Sequence, residues 1–194
     1  GIAYFPADSK EAAVFEAAQS SAATAARIAG IRGDLWTAAA VTEAAPLLFT
    51  PANDRPSAES QAKMESAIYM ALRAAKLSPH DSRVWLVLAA LRSRRSPPSP
   101  DAAEALKLSY YTGPNEFSLA PVRLSVAGRV TADEELQGQI QSEIQRIILK
   151  RPDLKPAIAA AYKAASPQSR TIFEAALKDA DPNFLATIAS PPKR

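Results

Sequence analysis

The clearest hydrophobic pattern along this chain is a stripe of aliphatic side chains in its C-terminal half. Its members recur at intervals of three and four residues, and they are Leu136, Ile140, Ile144, Ile147 and Ile148. This spacing places them on one face of an α-helix. The preceding segment, Thr131-Ala-Asp-Glu134, has the pattern of a capping box. It predicts that the helix begins just after Thr131.

Weaker apolar stripes, separated by proline, glycine and polar residues, predict further helices along the rest of the chain. The expected helices cover residues 8–29, 34–46, 58–76, 79–94, 101–111, 115–128, 154–165, 166–180 and 181–189. Pro46 predicts a kink in the second of them. Four starts are expected where a side-chain oxygen precedes proline: Ser78-Pro79, Ser99-Pro100, Ser166-Pro167 and Asp181-Pro182. No stretch alternates with a period of two, so the sequence predicts an all-α fold.

The segment from Thr50 to Ser57 has the composition of a loop, with two prolines and several turn-forming residues. It predicts a boundary between an N-terminal helical hairpin, residues 1–55, and a helical array, residues 56–190. The sequence also leaves open that the two parts form one continuous domain.

Small residues and a proline between residues 67 and 89 follow the spacing of a known helical repeat. The positions concerned are Ala67, Ala74, Pro79, Trp85, Leu88 and Ala89. This segment resembles the junction between two tetratricopeptide repeats (TPR), and the resemblance is best over about residues 58–128. Pro114 follows Pro79 by 35 residues, close to the TPR period of about 34. Arg92 and Ala120 depart from the family pattern, which has aromatic residues at these positions.

The resemblance implies a fold and a mode of action. TPR-like arrays stack antiparallel helical hairpins into an α-α superhelix with a concave face. The implied function is that of a non-enzymatic scaffold that binds a protein or peptide. The groove-facing positions would be Arg83, Leu86, Ala90 and Ser93, with Arg83 expected to bind partner carboxylates.

The charge balance adds one candidate surface. The chain has 23 Lys and Arg residues against 20 Asp and Glu residues, a net charge of +3, and they are spread along it. The one dense cluster is Arg92, Arg94 and Arg95, which is typical of a solvated helix end. It is also compatible with an acidic partner or a lipid surface. Because the charges are spread along the chain, our main expectation is that the protein has no nucleic-acid partner. Weak binding to nucleic acid or another anionic surface is the alternative.

Candidate catalytic groups are few. His80 is the only histidine, and the absence of cysteine excludes thiol chemistry and disulfides. A groove with paired carboxylates would suit a polysaccharide-acting or envelope-assembly enzyme. The acids considered for this alternative are Glu134, Glu135, Glu143, Asp179 and Asp181. Because nothing in their spacing pairs them, we expect no catalytic residues, no cofactor and no metal.

The compartment and the oligomeric state stay open. The chain begins at Gly1 without a methionine, which is compatible with a removed leader or anchor before it. Both a cytoplasmic domain and one anchored at a bacterial-type cell envelope fit the sequence. Alanine-rich helices can pair within one chain or across a homodimer, and residues 8–29 are the first candidate for such exchange.

Overall fold

The computed structural model describes residues 9–49, 58–94 and 99–190. Within these ranges it has ten α-helices and two short 3-10 turns, with no strand. The predicted all-α fold is therefore confirmed. The prediction of a TPR-like superhelix stays a prediction.

The chain divides into two compact units, residues 1–114 and residues 115–194. The helices of the first unit are α1 Ser9–Ile28, α2 Gly33–Phe49, α3 Ala58–Leu77, α4 Ser82–Ser93 and α5 Pro100–Thr112. Those of the second are α6 Ala120–Ala127, α7 Glu134–Lys150, α8 Lys155–Ala164, α9 Pro167–Ala180 and α10 Pro182–Ala189. The 3-10 turns Phe117–Leu119 and Pro152–Leu154 precede α6 and α8.

The predicted boundary at residues 50–57 does not coincide with this division. That segment lies outside the described residues, but α2 and α3 on either side of it pack against each other within the first unit. The structure instead places the division between Pro114 and Asn115, at the turn after α5. Both the N-terminal hairpin and the first half of the expected array therefore share one core.

Helices of the first unit pack closely because alanine makes up about half of their buried hydrophobic residues. Each helix packs on the next one in the chain, and α2 also packs on α4. The buried small side chains of α2, α3 and α4 include Ala40, Ala44, Ala45, Ala67, Ala71, Ala74 and Ala89. Gly33 allows the closest approach, because a Cβ on it would collide with the side chain of Ser78. Such a core has little room for larger side chains.

Helix α2 continues through Pro46, where the sequence predicts a kink, and ends at Phe49. Proline has no N–H to donate to the carbonyl four residues earlier, which here belongs to Thr42. The side chain of Gln19 on α1 donates a long hydrogen bond of 3.4 Å to that carbonyl. The same hairpin thus supplies a partner for the group that the proline leaves without its usual donor.

The second unit buries larger aliphatic and aromatic side chains. Helix α7 packs on α9, α6 packs on α8, and α10 packs on both α8 and α9. The stripe predicted for α7 is buried at Leu136, Ile140, Ile144 and Ile147, while Ile148 is half-buried. The amphipathic pattern of this helix is therefore confirmed.

Capping side chains agree with the sequence at some helix starts and differ at others. Proline opens α5, α9 and α10 as expected, and Ser166 and Asp181 cap the last two. The cap of α7 is Asp133, which accepts from the Leu136 N–H at 3.0 Å, so the expected cap at Thr131 is wrong. Likewise α4 begins at Ser82 with Asp81 as its cap, and the expected start at Ser78-Pro79 is wrong.

Candidate functional site

The positions expected to line a groove lie in the core of the first unit. Leu86, Ala90 and Ser93 are all buried, because α4 is packed by α2, α3 and α5. The expectation that these three residues form an open binding face is therefore corrected. A charge introduced at Leu86 would test stability rather than binding.

Arg83, the fourth expected groove residue, is held by its own helix cap. Its Nε donates to Asp81 Oδ1 at 2.9 Å and its Nη2 donates to Asp81 Oδ2 at 2.7 Å. Both side chains are mostly buried. A paired, two-point contact of this kind fixes the guanidinium in place, so Arg83 stabilises the start of α4.

The structure describes two of the three arginines in the expected basic cluster. Arg94 donates from Nη1 to the Leu48 carbonyl at 3.3 Å, which serves the C-terminal end of α2. Arg92 is half-buried near the end of α4, and Arg95 lies outside the described residues. For Arg94, the helix-end interpretation fits better than a free cationic surface.

The acids considered for catalysis occupy structural positions. Glu143 is buried and pairs with Arg123 of α6, with Oε1 to Nη1 at 3.5 Å. Asp181 accepts from Lys155 Nζ at 2.7 Å and caps α10. Glu134, Glu135 and Asp179 are exposed near helix ends, and so is His80 in the α3–α4 turn.

The pKa shifts of several side chains are caused by ion pairs of this kind or by burial. The hydrogen bond from Lys155 lowers the pKa of Asp181, and the hydrogen bond from Arg32 lowers the pKa of Asp34. Burial raises the pKa of the Glu43 carboxyl and lowers that of the Arg129 guanidinium. Each shift has a local structural cause.

An exposed surface on α3 combines aromatic, aliphatic and cationic side chains. We call it the α3 face, and its members are Tyr69, Leu72, Arg73 and Lys76. Tyr69 is 59% exposed, although its ring meets the ring of Trp36 edge-on at a centroid distance of 6.2 Å. The Arg73 guanidinium lies 5.5 Å from the centroid of the same Trp36 ring. Trp36 itself is buried, so it supports both exposed side chains from below.

The α1–α2 turn lies beside the end of α3. Trp36 Nε1 donates to the carbonyl of Gly30 in this turn at 3.2 Å. At Gly33 a Cβ would lie 3.1 Å from the carbonyl carbon of Leu77, so the start of α2 and the end of α3 are in contact. The turn and the α3 face therefore meet at Trp36.

Sequence reasoning did not single out the α3 face, although a signal was present. Tyr69, Leu72, Arg73 and Lys76 follow helical spacing on the side opposite Ala67, Ala71 and Ala74. When alanine fills the packed side of a helix, its large apolar residues must lie on another side. That pattern predicts an exposed apolar face.

Among the described residues, no group of three or more His, Cys, Asp or Glu side chains could hold a metal ion. Over the same residues, no helix is both long enough and apolar enough to cross a membrane. Comparisons with protein-family models, with curated proteins and with solved structures give no match for the chain.

Proposed function

We propose that this chain is a non-enzymatic, TPR-like interaction protein that binds a protein partner through the α3 face. The observation that carries the proposal is the arrangement of Tyr69 and Arg73, which are exposed and yet both held on the ring of Trp36. The binding surface differs from the groove that the sequence suggested.

The residue types on the α3 face, and their contacts with the Trp36 ring, favour protein binding. Tyrosine and arginine are enriched among the residues that dominate binding energies at protein interfaces. Side chains already held in place lose less conformational entropy when a partner binds. Tyr69 and Arg73 meet both conditions because the buried Trp36 ring restricts them before any partner arrives.

The spacing of the face favours a partner helix with apolar and acidic side chains. Tyr69, Leu72, Arg73 and Lys76 stand at positions i, i+3, i+4 and i+7 of α3, so they form one stripe along its exposed side. A partner helix could pack its apolar side chains against Tyr69 and Leu72. Its carboxylates would then meet the two cations.

Two features of the first unit support a TPR-like array. The hairpins α2–α3 and α4–α5 follow one another, with α2 packed on α4 as well as on α3. The positions that carry the resemblance are fully buried at Ala67, Ala74, Leu88 and Ala89. The indole of Trp85 donates to the Pro79 carbonyl at 2.7 Å, which ties the aromatic position to the proline of the preceding turn.

The test is a quantitative capture of proteins from a lysate of the source organism, including solubilised membranes. We expect a Tyr69→Ala, Arg73→Glu variant to lose a specific partner, because truncating such a residue costs about 2 kcal/mol or more, roughly thirty-fold in affinity. The matched control is Tyr111→Ala, since Tyr111 is 58% exposed and lies on α5. Equal capture by wild type and both variants would contradict the proposal. Thermal melts would establish that each variant is folded.

A further inference from the structure

Two isoleucines at the α1–α2 turn are the most exposed large hydrophobic residues in the described part of the chain. Ile28 is 81% exposed and Ile31 is 88% exposed. They lie at the end of α1 and in the turn that follows it, rather than along the side of a helix. Exposure of single aliphatic residues is common, but here two of them lie three positions apart in the sequence at one turn.

The turn is held in a defined conformation. The Arg32 N–H donates to the Ala29 carbonyl at 2.7 Å, and the Leu35 N–H donates to the Arg32 carbonyl at 3.2 Å. The indole of Trp36 holds the Gly30 carbonyl between the two isoleucines. Ile28 and Ile31 are therefore presented by an ordered backbone.

The surroundings of the turn are cationic. Arg27 lies next to Ile28, and Arg73 and Lys76 come from the adjoining end of α3. Asp34, the acid in the first turn of α2, is already in an ion pair with Arg32. Positive charge is thus in excess around the exposed isoleucines.

We propose that the α1–α2 turn inserts into the surface of a membrane that contains anionic lipids. A pair of exposed isoleucines beside cationic side chains fits a bilayer interface, because aliphatic side chains reach the acyl boundary while cations remain among the headgroups. A partner helix would instead require an apolar stripe along its length, and the two isoleucines do not form one. The two isoleucines lie outside the α3 face, although the two surfaces share Arg73 and Lys76, and the inference does not depend on the proposed protein partner.

Leu149 provides a matched comparison within the same chain. It is 78% exposed on α7 and is followed by Lys150 and Arg151. It lacks a second exposed aliphatic residue beside it, and Arg151 is already paired with Asp153. The local composition is similar, but the pair of apolar side chains at a turn is missing.

The experiment is co-sedimentation of the full chain with vesicles of phosphatidylcholine alone or of an equal mixture with phosphatidylglycerol. We expect binding to the anionic vesicles only, weakened by added salt because screening reduces attraction to the headgroups. Ile28→Ser with Ile31→Ser should reduce binding at least tenfold. Leu149→Ser and Tyr69→Ala should bind like wild type.

A gain-of-binding variant separates this result from misfolding. Ile28→Trp with Ile31→Trp should sediment more strongly than wild type, since tryptophan favours the membrane interface. Absence of binding to anionic vesicles, or equal loss with Leu149→Ser, would overturn the proposal. So would a protein captured from the lysate in a manner that requires Ile28 and Ile31 while vesicles do not bind. The α3-face proposal would stand in each of these cases, because its variants are different.

Discussion

The two units of this chain bury different kinds of side chain. Alanine makes up 12 of the 23 buried hydrophobic residues described in the first unit but only 6 of the 20 in the second, which buries more isoleucine, as at Ile144. The exposed large hydrophobic residues are concentrated in the first unit. Of the nine among the described residues, eight lie in the first unit and only Leu149 lies in the second. The unit that packs more of its core through small residues thus has more of its large apolar residues on the surface.

The second unit should depend strongly on the ion pair between Arg123 and Glu143, whose two side chains are almost completely buried. Glu143→Ala removes the carboxylate that pairs with the buried Arg123 guanidinium, and we expect a loss of about 3–5 kcal/mol in the free energy of unfolding. Urea denaturation followed by circular dichroism measures it. An Arg123→Met, Glu143→Leu variant should recover most of the loss. A single Glu143→Ala variant as stable as Glu134→Ala would show that the pair contributes little.

The contrast between small and large core residues predicts that the second unit is destabilised by truncating a core side chain and the first by enlarging one. Ile144→Ala should destabilise the second unit by about 2–5 kcal/mol, because it leaves a cavity. Ala71→Leu should destabilise the first unit by about 1–3 kcal/mol, because the alanine-packed core has no room for the longer side chain. Comparing denaturation midpoints of both variants with that of Leu149→Ala tests the contrast. If Ala71→Leu were neutral or stabilising, the description of the first unit as closely packed would be wrong.

The smallest expected effect concerns pH and the end of the second unit. The folded state lowers the pKa of Asp181 through its hydrogen bond with Lys155, so its contribution is present above the unfolded pKa of about 3.9. It is lost as the pH falls through the lower folded value. The melting temperatures of wild type and Asp181→Asn should therefore differ at neutral pH and converge on acidification. Asp179→Asn is the control, and a gap that widened in acid would contradict the assignment.

The sequence predicted the periodic parts of the fold best. The stripe of α7 and the proline-led starts of α5, α9 and α10 depend on neighbouring residues, so local spacing was sufficient. The cap of α7 was misplaced because Thr131 and Asp133 both carry a suitable oxygen two residues apart, and only the folded backbone selects Asp133.

The predicted groove-facing residues of α4 are buried, and the sequence of α4 itself explains why. Residues 84–91 read Val-Trp-Leu-Val-Leu-Ala-Ala-Leu, which is apolar on nearly every side, and such a helix is buried rather than open on one face. Positions transferred from the repeat pattern assumed one exposed side. The α3 face depends instead on which helices pack on α3, a tertiary property that its own spacing only suggests.

Trp36 gives the first unit a shared support for two surfaces. Its indole holds the Gly30 carbonyl of the α1–α2 turn and carries Tyr69 and Arg73 of the α3 face. Suppose that a ligand at one surface moves this ring and thereby strengthens binding at the other surface. By thermodynamic linkage, a ligand at the second surface then strengthens binding at the first by the same factor. The buried indole is therefore one route by which the proposed membrane contact and the proposed partner binding would be coupled.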